Sequence, residues 1–233
     1  MGLDDTDTLE SRGTGHLARE VAAVLGADYS LLGVTRHQLL VHPDIPYTAK
    51  NSSAAIHLRS NGHDGRESVL ERVKNVMRAH FNPGSDPGLC VVSDVPAAVI
   101  DFGRRAQQEG VTQAEARALA HEHGIPLLGL GGTEDGVIGA IAAVGLAASG
   151  NDGRYVLIGR CRELAGLRPV QDVLAAGVDQ VRTSEGDRVT HGMILTDKLR
   201  PARREATPIA VVEWCPEPFD GWLEGYWLPL KLD

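Results

Sequence analysis

The chain reads as an α+β protein: a ferredoxin-like N-terminal half of order βαββαβ, packed against a second α/β domain. Three observations predict this. Apolar residues alternate between strand-like and helix-like spacing as far as residue 95. The texture changes at Pro96, where two helical stripes follow one another. The length of 233 residues suits one large domain or two small ones. The expected domains are 1–95 and 96–233.

Met1 to Leu3 is the end of a strand, either a stub or one continued upstream. From Thr14 to Leu25, the residues Leu17, Val21, Val24 and Leu25 keep helical spacing, with Gly13 and Gly15 before the run and Gly26 after it. Leu31 to Val41 is rich in leucine and β-branched residues and stops at two prolines, Pro43 and Pro46. Ala54 to Leu58 reads as the next strand. Asn61-Gly62 and Asp64-Gly65 turn the chain into a helix striped by Val69, Leu70, Val73, Val76 and Met77. A loop from Asn82 to Gly88 leads to a strand at Leu89 to Val92, which completes the βαββαβ order.

Beyond Pro96, Val99 to Gln108 and Gln113 to His123 read as helices, the second with Thr112 as N-cap. Ile125 to Leu130 is a strand that runs into Gly131-Gly132-Thr133-Glu134-Asp135-Gly136. The small-residue run Val137 to Ala148 is a helix. Short strands at Tyr155 to Ile158, Gln180 to Thr183, Gly192 to Leu195 and Ile209 to Trp214 follow. Trp222, Tyr226 and Trp227 in the tail are expected to pack over a domain face rather than to stack bases.

The net charge of −8 argues against a broad basic face for nucleic acid, because neutralising phosphates takes clustered Lys and Arg. Cys90, Cys161 and Cys215 are scattered, with no spacing for a zinc site or a disulfide framework, and read as reduced thiols. No apolar run reaches bilayer-spanning length, and no charged-then-apolar signal opens the chain. A soluble cytoplasmic protein is the expectation.

The densest chemistry lies in Leu3-Asp4-Asp5-Thr6-Asp7-Thr8. Three carboxylates within four residues repel one another unless a cation stands between them. Asp4, Asp5 and Asp7 therefore read as a Mg²⁺ site, in which one or two carboxylates and a threonine hydroxyl act beside substrate phosphates. The plainer alternative is a solvated acidic turn that caps a helix.

Two further groups stand out. Gly131, Gly132 and Gly136, followed by Val137, Ile138, Gly139 and Ala140, lie between a strand and a helix, where backbone N–H groups gather around an anion. The spacing is neither a dinucleotide fingerprint nor a Walker loop, and Glu134 and Asp135 oppose a bare phosphate cradle. Tight turning and close helix packing are the alternative role of these glycines. Arg36, Lys50 and Asn51 flank the proline-stiffened loop and offer donors to a polyphosphate or a base edge. Thr6, Thr14 and His16 are candidate contacts beside them, although His16 alone reads more readily as a helix-face residue.

Four blocks, Gly2-Leu3-Asp4-Asp5-Thr6-Asp7-Thr8, Pro43-Asp44-Ile45-Pro46-Tyr47, Asn82-Pro83-Gly84 and the run from Gly136 to Gly145, occur in this order over most of the chain. Together they resemble the archaeal 2-agmatinylcytidine synthetase family, which modifies a minor isoleucine tRNA. The resemblance implies that ATP and Mg²⁺ serve to phosphorylate the C2 oxygen of a wobble cytidine, which agmatine then displaces. It further implies that Asp4, Asp5 and Asp7 are metal-binding and catalytic, and that Gly136, Val137, Ile138, Gly139 and Ala140 line a nucleotide pocket. Lys50 stands where the family has a basic residue, whereas Thr48 replaces its usual Lys. His16 stands where the family carries a phosphorylated threonine, with Thr14 close by. The family's OB-fold and zinc ribbon have no counterpart here, so the resemblance implies a catalytic core without its tRNA-reading modules.

Three functions are open on this reading. The first is an ATP- and Mg²⁺-dependent enzyme that activates an oxygen of a small molecule or nucleobase by phosphoryl transfer, ready for displacement by an amine. The second is the same chemistry on a tRNA wobble cytidine, with a separate RNA-binding partner. The third is a non-catalytic nucleotide-binding module.

Overall fold

The computed structural model describes residues 1–6, 13–45, 51–59, 65–80, 82–197 and 199–232. Two compact units make up the chain, Met1–Ser149 and Gly150–Asp233. This division lies well past the expected boundary at residue 95.

The first unit begins with β1 (Gly2–Asp4), α1 (Thr14–Leu25), β2 (Ser30–Gln38), β3 (Ser52–Arg59), α2 (Arg66–His80) and β4 (Gly88–Cys90). It continues with α3 (Ala97–Gln108), α4 (Gln113–Glu122), β5 (Leu127–Gly129) and α5 (Gly136–Ser149). Its strands lie in the order β5-β4-β1-β3-β2, with each neighbouring pair antiparallel. The short β1, three residues long as a stub would be, is thus the central strand. Leu3 is wholly buried there, and the N-terminal amino group donates to the carbonyl of Ile56 at 2.9 Å.

Helix α1 forms because Leu17, Ala18, Val21, Ala22 and Leu25 repeat on one face, which is buried. Strands β2 and β3 pair over their full length, with a bulge at Leu31/Gly33 that leaves Leu32 exposed. Helix α5 differs from the others: it is apolar on all sides, and almost every residue from Gly136 to Ala147 is buried. A helix of that kind needs a partner on both flanks. The sheet covers one, where Gly88 meets the carbonyl of Gly136 so closely that no Cβ fits. On the other flank α3 lies equally close, with Gly145 against the carbonyl of Val99. Ile141 and Leu146 are completely enclosed, each contributing about 1.5–3 kcal/mol by burial. This double demand is the physical reason that α3, α4, β5 and α5, expected in the second domain, belong to the first unit.

The second unit holds β6 (Arg154–Leu157), β7 (Leu167–Pro169), α6 (Val170–Ala175), β8 (Gln180–Thr183), β9 (Met193–Leu195), β10 (Ala202–Arg204), β11 (Thr207–Cys215) and β12 (Tyr226–Pro229). Its strands follow the order β6-β10-β11-β12-β9-β7, and β8 pairs with β11 in parallel. Val170, Val173, Val181, Ile194, Ala210 and Val212 build its core. The sequence reading foresaw neither α6, β7, β10 nor β12. Among the described residues no helix is long and apolar enough to cross a membrane.

Candidate functional site

The first unit carries a half-open cavity of about 840 Å³. One wall is the end of β1. Asp4 is paired with Gly88 in the sheet, and its carboxylate lies against Gly139, where any Cβ would overlap it. Asp5 turns the chain with φ 49°, a left-handed conformation that Asp tolerates better than most residues and that swings it out of the strand. Both residues line the cavity.

The adjoining wall is the start of α5, through Gly136, Ile138 and Gly139, with Asp135 just before it. The Gly136 N–H donates to the carbonyl of Asp86 at 3.0 Å, which ties the helix start to the residues preceding β4. A third side comes from Leu39, Leu40, Asn51 and Ser52, with His42, Asp44 and Ile45 at the rim. Asn51 holds the ends of β2 and β3 together. Its side-chain amide donates to Leu40 O at 2.7 Å, and its carbonyl accepts from Leu39 N at 2.9 Å and Gln38 Nε2 at 2.5 Å. The segment from Ala106 to Gln113 closes the fourth side.

Charge on these walls is of one sign. The described lining residues include Asp4, Asp5, Asp44, Glu109 and Asp135, but no Lys or Arg. Some of this charge is answered nearby. Glu109 accepts from Arg105 at 2.6 Å, Asp135 accepts from Gln113 at 3.0 Å, and His42 Nδ1 lies 3.6 Å from Asp44. An anion entering such a cavity needs cations to come with it.

Thr6 is buried directly after Asp5. Its N–H donates to Thr14 Oγ1 at 3.4 Å, and its carbonyl accepts from Asn82 Nδ2 at 2.9 Å. Its own hydroxyl is buried without a hydrogen-bond partner among the described residues, a costly state for a polar group unless something else supplies one. Two hard carboxylate donors on the wall suit a Mg²⁺ that takes its other ligands from water and phosphate, whereas Thr6 does not line the cavity. Asp7, the third member of the expected set, lies outside the described residues, as does Lys50. Among the described residues no three His, Cys, Asp or Glu side chains are grouped to hold a metal ion.

Several expected contacts are placed elsewhere. Val137 and Ala140 are fully buried in the core and do not line the cavity, because they point from α5 into its packed flanks. Gly131 and Gly132 are not part of the lining either. Gly132, at φ +59°, has the Asp86 carboxylate where its Cβ would be, and the Thr133 N–H donates to Asp86 Oδ1 at 2.6 Å. The anion bound by this glycine turn is thus a carboxylate of the protein. Arg36 reaches Gln38 Oε1 at 2.9 Å and does not line the cavity, while His16 pairs with Glu20 at 3.2 Å. Conversely, Asp44, Glu109 and Asp86 were not singled out from the sequence. Each comes from a different element, and no local spacing links them.

No family model and no curated protein matches the chain. Solved structures do. A tRNA fluorescent labeling enzyme is similar at 25% identity and a TM-score of 0.55, over 62% of this chain and 34% of that one. TiaS in complex with an isoleucine tRNA and ATP is similar at 25% identity and a TM-score of 0.55, over 62% of this chain and 35% of that one. Apo TiaS, the agmatidine synthetase of that tRNA, shares the fold at 23% identity and a TM-score of 0.54, over 62% of this chain and 34% of that one. The chain thus spans about a third of the length of these proteins.

Proposed function

We propose that this chain is an ATP- and Mg²⁺-dependent phosphoryl-transfer enzyme that activates an oxygen of a small molecule or nucleobase for displacement by an amine. The observation that carries the reading is that Asp4 and Asp5 line one cavity together with Gly136 and Gly139, and that its described walls hold no Lys or Arg. The strand order of the first unit supports its assignment as a ferredoxin-like domain extended by β5 and α5.

Asp4 and Asp5, joined by Asp7, would hold the metal. Bound Mg²⁺ supplies charge neutralisation for the polyphosphate. Asp5, with its left-handed backbone just past the strand, would supply one carboxylate ligand. Gly139 keeps the start of α5 bare enough for the Asp4 carboxylate to lie flat against it. Thr6 and Thr14 are buried and do not line the cavity, so their part is to hold the chain that follows Asp5, and Lys50 would offset charge developing on the transferred group. Leu39, Leu40, Ala106, Val111 and Ile138 form the apolar part of the walls, which seats a base and excludes water.

Titration calorimetry with ATP tests this reading. Binding is expected with MgCl₂ and not with EDTA, and Asp5→Asn abolishes it. Absence of heat at every magnesium concentration removes the proposal. ATP binding with no ADP, AMP or pyrophosphate after long incubation with candidate acceptors would leave a binding module. A second reading, modification of a tRNA wobble cytidine with a separate RNA-binding partner, is supported by the likeness to TiaS bound to an isoleucine tRNA and ATP. Incorporation of labelled agmatine into tRNA, with and without cell extract, distinguishes it.

A further inference from the structure

The second unit carries a surface that the cavity chemistry does not use. Five of the ten aromatic residues of the chain fall between Trp214 and Trp227. The segment from Glu213 to Glu224 holds four carboxylates and no Lys or Arg. Trp214 is 52% exposed and Leu223 83% exposed, so two large apolar side chains are left to solvent within one short segment, as at interaction sites.

The surface is built rigidly. Asp220 and Gly221, at φ 44° and 82°, make a tight two-residue turn. Phe219 and Trp222 exchange backbone hydrogen bonds of 3.0 and 2.8 Å across it. The Trp222 indole N–H donates to Gly225 O at 3.4 Å. Gly225 in turn leaves room for the Trp214 ring, which stands edge-on to Trp227 with centroids 5.0 Å apart. An aromatic platform already fixed in place loses little side-chain entropy on binding.

We infer that this tip is a docking surface for a basic protein segment, one that presents Arg or Lys between apolar residues. Charge complementarity selects the occupant. Glu213, Glu217, Asp220 and Glu224 are all exposed within the segment that carries the aromatic rings, a composition that suits guanidinium or ammonium groups. The same four charges repel nucleic-acid phosphates and anionic membrane surfaces. The inference is independent of the nucleotide reading, since it concerns the other unit.

The test is fluorescence anisotropy of a labelled peptide of alternating Arg and Leu against the full chain. Its Glu-Leu counterpart, a single-stranded RNA and anionic vesicles are run beside it. The Arg-Leu peptide is expected to bind, to weaken with salt and to quench tryptophan emission. The triple variant Glu217→Lys, Asp220→Lys, Glu224→Lys should weaken it at least tenfold, and Leu223→Ser about threefold. Charge reversal at the exposed Glu67 and Glu122 of the first unit should leave it unchanged. The inference is overturned if the peptide does not bind, if the first-unit reversals weaken it as much as those in the segment, or if RNA or vesicles bind in preference. Circular dichroism of each variant separates misfolding from lost contact, and Leu223→Ser alters only an exposed side chain. Loss of ATP binding in Asp5→Asn would leave peptide binding intact.

Discussion

The carboxylate of Asp4 occupies the space in which any side chain at residue 139 would begin. Strand β1 and helix α5 are therefore matched at one point by an absent methyl group, and that point lies on the cavity wall. Gly139→Ala overlaps the whole Asp4 side chain, its Cβ included, so that side chain must leave its place and the end of β1 must give with it. The expected outcome is at least tenfold weaker Mg·ATP binding in calorimetry, about 1.4 kcal/mol, together with a lower melting temperature. Equal affinity in the variant would separate Asp4 from the site.

Gly145→Ala provides the contrast. There a Cβ meets the Val99 carbonyl and the Ile100 Cα, both backbone, so α3 and α5 must part. Overpacking of this kind costs about 1–3 kcal/mol. Urea denaturation should show that loss, while the folded fraction binds nucleotide as the parent does, because residue 145 is not on the cavity wall.

These two glycines also show how far the sequence could be read. Helix α1 and the extent of α5 were legible from apolar spacing, since a helix with a buried stripe or a run of small apolar residues declares itself within a dozen positions. The acidic run at Asp4 and Asp5 was legible for the same local reason. What α5 packs against was not: its composition announces burial but not the flanks, and so the central place of the short β1 went unseen and the boundary fell at 95. The role of Gly132 depends on Asp86, far away along the chain, and no spacing rule joins them. Helix α6 was missed because six residues after Pro169 are too few to show a period. The second unit's hairpin between β10 and β11 turns on Glu205 and Ala206, both with positive φ, where neither residue advertises a turn.

Near the cavity, α4 starts with a capping box. Glu115 N–H donates to Thr112 Oγ1 at 3.2 Å, and the Thr112 N–H donates back to Glu115 Oε2 at 2.8 Å. Hydrogen bonds from Arg105 first, then from Thr112, hold the Glu115 carboxyl down at about 2, against 4.5 ordinarily. A depressed carboxyl stabilises the fold above its unfolded value and loses that contribution as pH falls through the folded one. The difference in melting temperature between the parent and Glu115→Gln is therefore expected to be full above pH 4.5 and to shrink towards pH 2. A difference independent of pH across that range would mean that the ionised form is not what the cap uses.

Thiol chemistry tests the packing of both units at once. Burial pushes the Cys90 thiol up to about 12 and the Cys161 thiol up to about 11, whereas Cys215 is only half-buried. The thiolate is the reacting form, so at about pH 8 the first two should be inert in the native protein. Ellman's reagent should titrate one thiol rapidly before denaturation and three after it, and Cys215→Ser should remove the rapid one. The same burial has a consequence at high pH. A group whose folded value is raised gives its full contribution below the unfolded value and loses it above. Stability tied to Cys90 should thus fall as pH climbs from 9 towards 12, and Cys90→Ala should flatten that part of the profile. Rapid native labelling of Cys90 would mean that β4 and α5 part far more readily than their packing implies.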